Sequence, residues 1–212
     1  MKTIQQYIKE KQINERLFLK NHEILTPKTK EELIEIIKDK IEKFGKKCNL
    51  NYIDVSNITD FSDLFAKNTF GLHLFNGDIS NWDVSNATNM NRLFYGSKFN
   101  GDLSEWDVSN VTTMEFTFTH SKFTGENGDI SNWNVSNVTN MHCMFVYSKF
   151  NGDISNWDVS NVENMEAMFM DSKFNGDISN WNVSNVINMS YMFSSSIFNG
   201  DISGWDVSNV TV

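Results

Sequence analysis

The sequence predicts an α/β repeat solenoid, with one short strand and one short helical or 3₁₀ turn per coil and an α-helical cap at its N-terminus. Three observations carry this. The six tryptophans, Trp82, Trp106, Trp133, Trp157, Trp181 and Trp205, are spaced 24, 27, 24, 24 and 24 residues apart. The stretch "FNGDISNWDVSNV" opens at Phe150 and returns in near copies from Phe75, Phe99, Phe174 and Phe198, with a lengthened copy from Phe123. A second landmark, Met followed four residues later by Phe, starts at Met90, Met114, Met141, Met165 and Met189. A unit of this length cannot bury its apolar side alone, but stacked copies turn each position into a continuous column.

Residues 1–50 stand outside the repeat and are read as a helical cap. Ile4, Tyr7, Ile8, Ile13 and Leu17 suggest a weak amphipathic helix. A second helix is better signalled. Thr29 and Glu32 form a capping-box pair just after Pro27, Leu33, Ile36, Ile37, Ile41 and Phe44 share a face, and Gly45 stops it. That face needs cover, and the open end of the array at residues 52–55 is the natural place to find it.

Residues 51–212 are read as one array of about six to seven repeats, the first degenerate and the last incomplete. In the first copy, "YIDVSNITDFSDLF", Ile53 takes the Trp place, Phe61 the Met place and Phe65 the Phe place. Within each unit "DIS" and "WDVS" alternate apolar with polar, a strand-like period of two. "SN" offers N-cap side chains ahead of apolar residues spaced i, i+3, i+4, and "FNGD" reads as a glycine turn. The Asp column of that turn, Asp78, Asp102, Asp129, Asp153, Asp177 and Asp201, either caps turn amides or, less plainly, holds calcium; capping is the preferred reading and no metal site is assigned.

Charge narrows the function. Residues 1–50 carry 12 Lys/Arg against 8 Asp/Glu, net +4, whereas residues 51–212 carry 6 against 19, net −13. So acidic a body repels phosphate and argues against nucleic acid as a partner. No apolar stretch reaches the ~20 residues of a membrane span. The opening residues lack the apolar core of a signal peptide, so the sequence by itself predicts a cytoplasmic chain. Cys48 and Cys143 have neither disulfide nor metal-ligand spacing. Cys143 beside His142 lacks a third, orienting group, so no catalytic residue, cofactor or enzyme activity is expected.

What varies inside the repeat is the candidate for recognition. Four columns change from copy to copy. From them Arg92, Tyr95, Glu115, Phe116, His120, His142, Tyr147, Glu166, Met170, Asp171 and Tyr191 are taken as candidate partner-binding residues. The plain alternative is that these positions meet solvent and any residue serves. The expected partner is a protein, with a glycan as the alternative. The unit reached at "WDVSNVTV" leaves a face that a homodimer could cover, which makes a self-assembling structural protein a third reading.

The unit "FNGDISNWDVSNVTNMxxMF" resembles the repeat of BspA-like bacterial surface proteins over about three quarters of the chain. The resemblance implies a leucine-rich-repeat-like solenoid, a cell-surface location and a binding role in adhesion, with no catalytic residues.

Overall fold

The computed structural model describes residues 23–211. The helix expected from Ile4 to Leu17 lies outside them. Helix α1 spans Lys30–Phe44. Thr29 is its N-cap, its hydroxyl accepting from the Glu32 amide at 3.2 Å, and Gly45 ends it at φ 84°, a left-handed backbone that suits glycine. Leu33, Ile34 and Ile37 are its buried residues and join the same core as the array. Phe44, expected on that face, is exposed, and Ile36 is only partly buried. Among the described residues no helix is long and apolar enough to cross a membrane.

The columns stack. Trp82 lies on Trp106, Trp133 on Trp157 and Trp181 on Trp205, each pair 6.4 Å apart and within 8° of parallel. Phe65, Phe94, Phe118, Phe145, Phe169 and Phe193 form a second column at 5.6–5.8 Å spacing. Phe150, Phe174 and Phe198 continue a third, and Phe145–Phe150 and Phe169–Phe174 contacts at 4.5 and 4.3 Å lock the two Phe columns together. Each such ring or aliphatic side chain is worth about 1.5–3 kcal/mol on burial.

The expected α/β class is not found. Besides α1, the described residues form one 3₁₀ turn, Leu72–Leu74, and isolated parallel bridges such as Asp60 to Asn89, Asn89 to Thr113 and Thr113 to Asn140, with no sheet. There is neither a strand nor a helix per coil. The units are chains of turns. In the second copy the amides of Trp82, Ala87, Leu93, Tyr95 and Ser97 donate to the carbonyls of Ile79, Val84, Met90, Arg92 and Phe94, three residues back in each case. Side chains close further turns: Asp78 Oδ1 accepts from the amide and hydroxyl of Ser80, and Asp83 Oδ1 from those of Ser85. The period-two burial is real, but local turns generate it rather than a strand ladder.

Turn segments connect to the next coil through alternate peptide groups. The amides of Met90, Arg92, Phe94 and Gly96 donate to the carbonyls of Thr113, Glu115, Thr117 and Thr119. Those of Met141, Cys143, Phe145 and Tyr147 donate to Asn164, Glu166, Met168 and Met170. In every case the amide points toward the C-terminal neighbour and the carbonyl of the same peptide group toward the N-terminal one. The turns between the linking groups hold residues at positive φ, and the column Arg92, Phe116, Cys143, Ala167, Tyr191 stands at 52–59°. In a β-strand the intervening peptide groups would bond the neighbour on the other side; here the amides of Leu93, Tyr95 and Ser97 turn back within their own coil, so the ladder is not a sheet.

Two side-chain ladders reinforce the stack. Each indole N–H donates to a carbonyl one coil back: Trp106 to Ile79 at 3.1 Å, Trp157 to Ile130 at 2.9 Å, Trp205 to Ile178 at 3.1 Å. The "SN" asparagines do the same, Asn161 to Ser136 and Asn185 to Ser160, both at 2.7 Å. They bridge coils rather than cap helices.

The turn carboxylates predict an acid limb. Bonds from Ser109, Ser160 and Ser208 hold Asp107, Asp158 and Asp206 below the usual carboxylate range. A depressed folded value contributes stability that is present above the unfolded value of about 3.9 and is lost as pH falls through the folded one. Thermal midpoints should therefore drop on acidification below about pH 4. Asn134 and Asn182 make the same turn bond without titrating. The triple variant Asp107→Asn, Asp158→Asn, Asp206→Asn should flatten that limb in calorimetry from pH 3 to 6; an unchanged limb would place the acid sensitivity elsewhere.

Candidate functional site

The four variable columns lie together on the outer side of the turn segments. One line of contacts runs across five coils. Arg92 Nε donates to Asp63 Oδ1 at 2.7 Å, and its guanidinium lies 4.4 Å over the ring of Tyr95. Tyr95 meets His120 edge-on at 6.1 Å, and His120 stacks on Tyr147 at 4.5 Å and 9°. Tyr147 ends the line in a hydrogen bond to Asp171, which pushes its phenol pKa up. His120 and Tyr147 are exposed, while Arg92, Tyr95 and Asp171 are half-buried.

A second line runs beside it. His142 packs edge-on against Phe116 at 4.7 Å, with Nε2 3.9 Å from Glu166 Oε2. Glu115 accepts from Asn140 Nδ2, and Glu166 from Asn188 Nδ2 at 3.0 Å, so each carboxylate is held by the Asn one coil on. Beside these, Cys143, Val146 and Ala167 form a small buried apolar cluster with Phe116 and Met170 packed against it. Burial, together with Glu166 and Glu115, pushes the Cys143 thiol up to about 11. It is a neutral thiol near pH 7, not an activated nucleophile.

Ten of the eleven candidates thus fall into two connected lines and the strip beside them. Tyr191 stands apart, exposed beside the C-terminal face of the array. Sequence reasoning missed Asp63. Its signal was present, since Asp63 occupies in the degenerate first copy the place Arg92 takes in the second. Cys143 and Val146 were in the variable columns but not among the candidates; they floor the strip.

The Asp column is committed to turns, with Asp102, Asp129, Asp153 and Asp177 each accepting from the serine amide two residues on at 2.8–2.9 Å. Among the described residues no His, Cys, Asp or Glu cluster is placed to hold a metal ion.

A sequence profile of the family described as "Mycoplasma protein of unknown function, DUF285" matches residues 37–145 and again residues 120–212. The chain belongs to this family. The two overlapping matches accord with the periodic array, and the first takes in the end of α1. No curated protein and no solved structure matches the chain.

Proposed function

We propose that this member of the family is a non-catalytic binding scaffold that takes a protein partner along the line from Arg92 to Asp171. The observation that carries the reading is the coincidence of two patterns. The positions that change from copy to copy are the ones whose side chains link up along one outer face, on a stack whose other columns hardly vary. Exposed aromatics beside carboxylates on a body of net charge −13 suit a partner surface carrying Arg and Lys. The BspA-like resemblance extends this reading to adhesion at a cell surface.

A glycan is the second reading, since exposed rings are what sugars stack on. Here His120 and Tyr147 cover one face of each other, which leaves less free ring for a sugar and favours the protein reading. The test is a double variant, His120→Ser with Tyr147→Ser; both side chains are exposed, so the fold should survive. Peptides selected from a display library on the intact chain should be basic and should lose at least about tenfold in affinity on the variant. Selected peptides that bind the variant equally well, or a glycan array that yields ligands where the library yields none, would overturn it.

A further inference from the structure

The repeat places an Asn-Gly pair in every coil: Asn76–Gly77, Asn100–Gly101, Asn127–Gly128, Asn151–Gly152, Asn175–Gly176 and Asn199–Gly200. Such a pair is open to attack by the glycine nitrogen on the asparagine side chain, because glycine has no side chain to obstruct the approach. The attack requires the asparagine to swing, so a pair held by hydrogen bonds reacts only through local opening.

Five of the six pairs are held through the main-chain amide of their asparagine. The amides of Asn100, Asn175 and Asn199 donate to the Oδ1 of Asn76, Asn151 and Asn175 at 2.7, 2.8 and 2.9 Å. That of Asn76 donates to Lys46 O at 2.8 Å, and that of Asn151 to Thr124 O at 3.2 Å. The same ladder ties down the side-chain carbonyls of Asn76, Asn100, Asn151 and Asn175.

Asn127 stands outside the ladder. The three-residue insertion puts Thr124 in its place, with Thr124 N donating to Asn100 Oδ1 at 2.9 Å and Thr124 O accepting from Asn151. Asn127 is exposed, in the bend formed by residues 125–128, and keeps one bond, from Nδ2 to Asn100 O at 3.1 Å. Neither its main-chain amide nor its Oδ1 has a partner among the described residues, and the Gly128 N–H has no acceptor there.

We propose that Asn127–Gly128 is a site of spontaneous deamidation, set apart from the other pairs by the insertion. The Gly128 nitrogen attacks Cγ of Asn127. A bond forms between them, the Cγ–Nδ2 bond breaks, and Nδ2 leaves as ammonia, taking up the proton that the Gly128 nitrogen loses. Water then opens the succinimide ring. Addition at Cγ gives an aspartyl residue; addition at the main-chain carbonyl carbon gives an isoaspartyl residue, whose main chain runs through Cβ and Cγ. Either product adds a negative charge. The isoaspartyl chain is also longer by a carbon just before Gly128, which lies so close to the Asp102 and Leu103 backbone that even a Cβ would clash.

The test is incubation of the full chain at mildly alkaline pH, then tryptic digestion and mass spectrometry. Cleavage after Lys98, Lys122, Lys149 and Lys173 puts Asn100, Asn127 and Asn151 on separate peptides. In the folded chain Asn127 should convert at least about tenfold faster than Asn100 or Asn151, the effect of one more hydrogen bond to break before attack. In urea the three should convert at comparable rates. Deleting residues 124–126 restores "FNGD" around Asn127 and should slow its conversion to that of Asn151. Asn100 or Asn151 converting as fast as Asn127 in the folded chain would overturn the proposal. So would an Asn127 that stays intact while the denatured chain reacts, or a folded deletion variant with an unchanged rate. Aged chain rich in isoaspartate should melt below the Asn127→Asp chain; equal midpoints would overturn the strain assigned to Gly128.

Discussion

Replacing Trp157 with alanine should cost about 3–5 kcal/mol, the range for deleting a large buried ring. Its ring is 3% exposed, stacks on Trp133 at 6.4 Å and touches Phe145 at 6.5 Å. Its indole N–H donates to Ile130 O at 2.9 Å. The array is a one-dimensional stack, so the loss falls on the interfaces either side of one coil. Whole domains are stable by only ~5–15 kcal/mol. A mid-array loss of this size should therefore uncouple the N-terminal from the C-terminal coils, and urea unfolding should broaden or split. The milder Trp157→Phe keeps a ring in the column and removes the donor. Ile130 O retains its turn bond from the Trp133 amide, so this change should cost only about 0.5–1.5 kcal/mol for the bond, plus the smaller ring. A midpoint unchanged by Trp157→Ala would show that the indole column does not hold the coils together.

The second large effect is expected at two glycines that read as equivalent to four others. A methyl group at Gly77 would sit 2.0 Å from the carbonyl oxygen of Cys48. At Gly128 it would sit 2.6 Å from the Leu103 nitrogen and 2.7 Å from the Asp102 Cα. Backbone cannot yield as a side chain does, so Gly77→Ala and Gly128→Ala should each destabilise by more than about 3 kcal/mol. At Gly152 and Gly176 the nearest atoms, at 2.9 Å, belong to the rings of Phe150 and Phe174. Those substitutions press on the Phe column and should cost about 1–3 kcal/mol, the usual penalty of overpacking. Thermal midpoints of the four variants should fall into these two groups; a single group would mean that the close approach at Cys48 and Leu103 is absent in solution.

The difference between these glycines is not in their local words. Gly77 follows the degenerate first copy, and Gly128 follows the three-residue "GEN" insertion around Gly125. Both are places where successive coils differ in length, so the backbone of one coil is drawn onto the next. The line from Arg92 to Asp171 shows the same limit. The varying columns could be named from the repeat, but the ion pair to Asp63 and the stacking of His120 on Tyr147 depend on coil-to-coil geometry.

The sequence alone determined the period, the identity of the stacked columns, the capped helix before them and the positions free to vary, because each is a pattern of side-chain type against spacing. It pointed to strands and helical turns that do not form. Alternating burial is common to a strand and to a run of turns, and the feature separating them is where each peptide N–H finds its acceptor. Nothing in the spacing of Met90, Leu93 and Phe94 says that the Met90 amide donates to Thr113 in the next coil while the Leu93 amide turns back to Met90. That choice needs residues such as Phe116, Cys143 and Tyr191 at positive φ, a conformation their side chains disfavour and only the packed stack enforces. The tertiary structure therefore decided the backbone class, the close approaches at Gly77 and Gly128, and the direction in which the linking amides point from coil to coil.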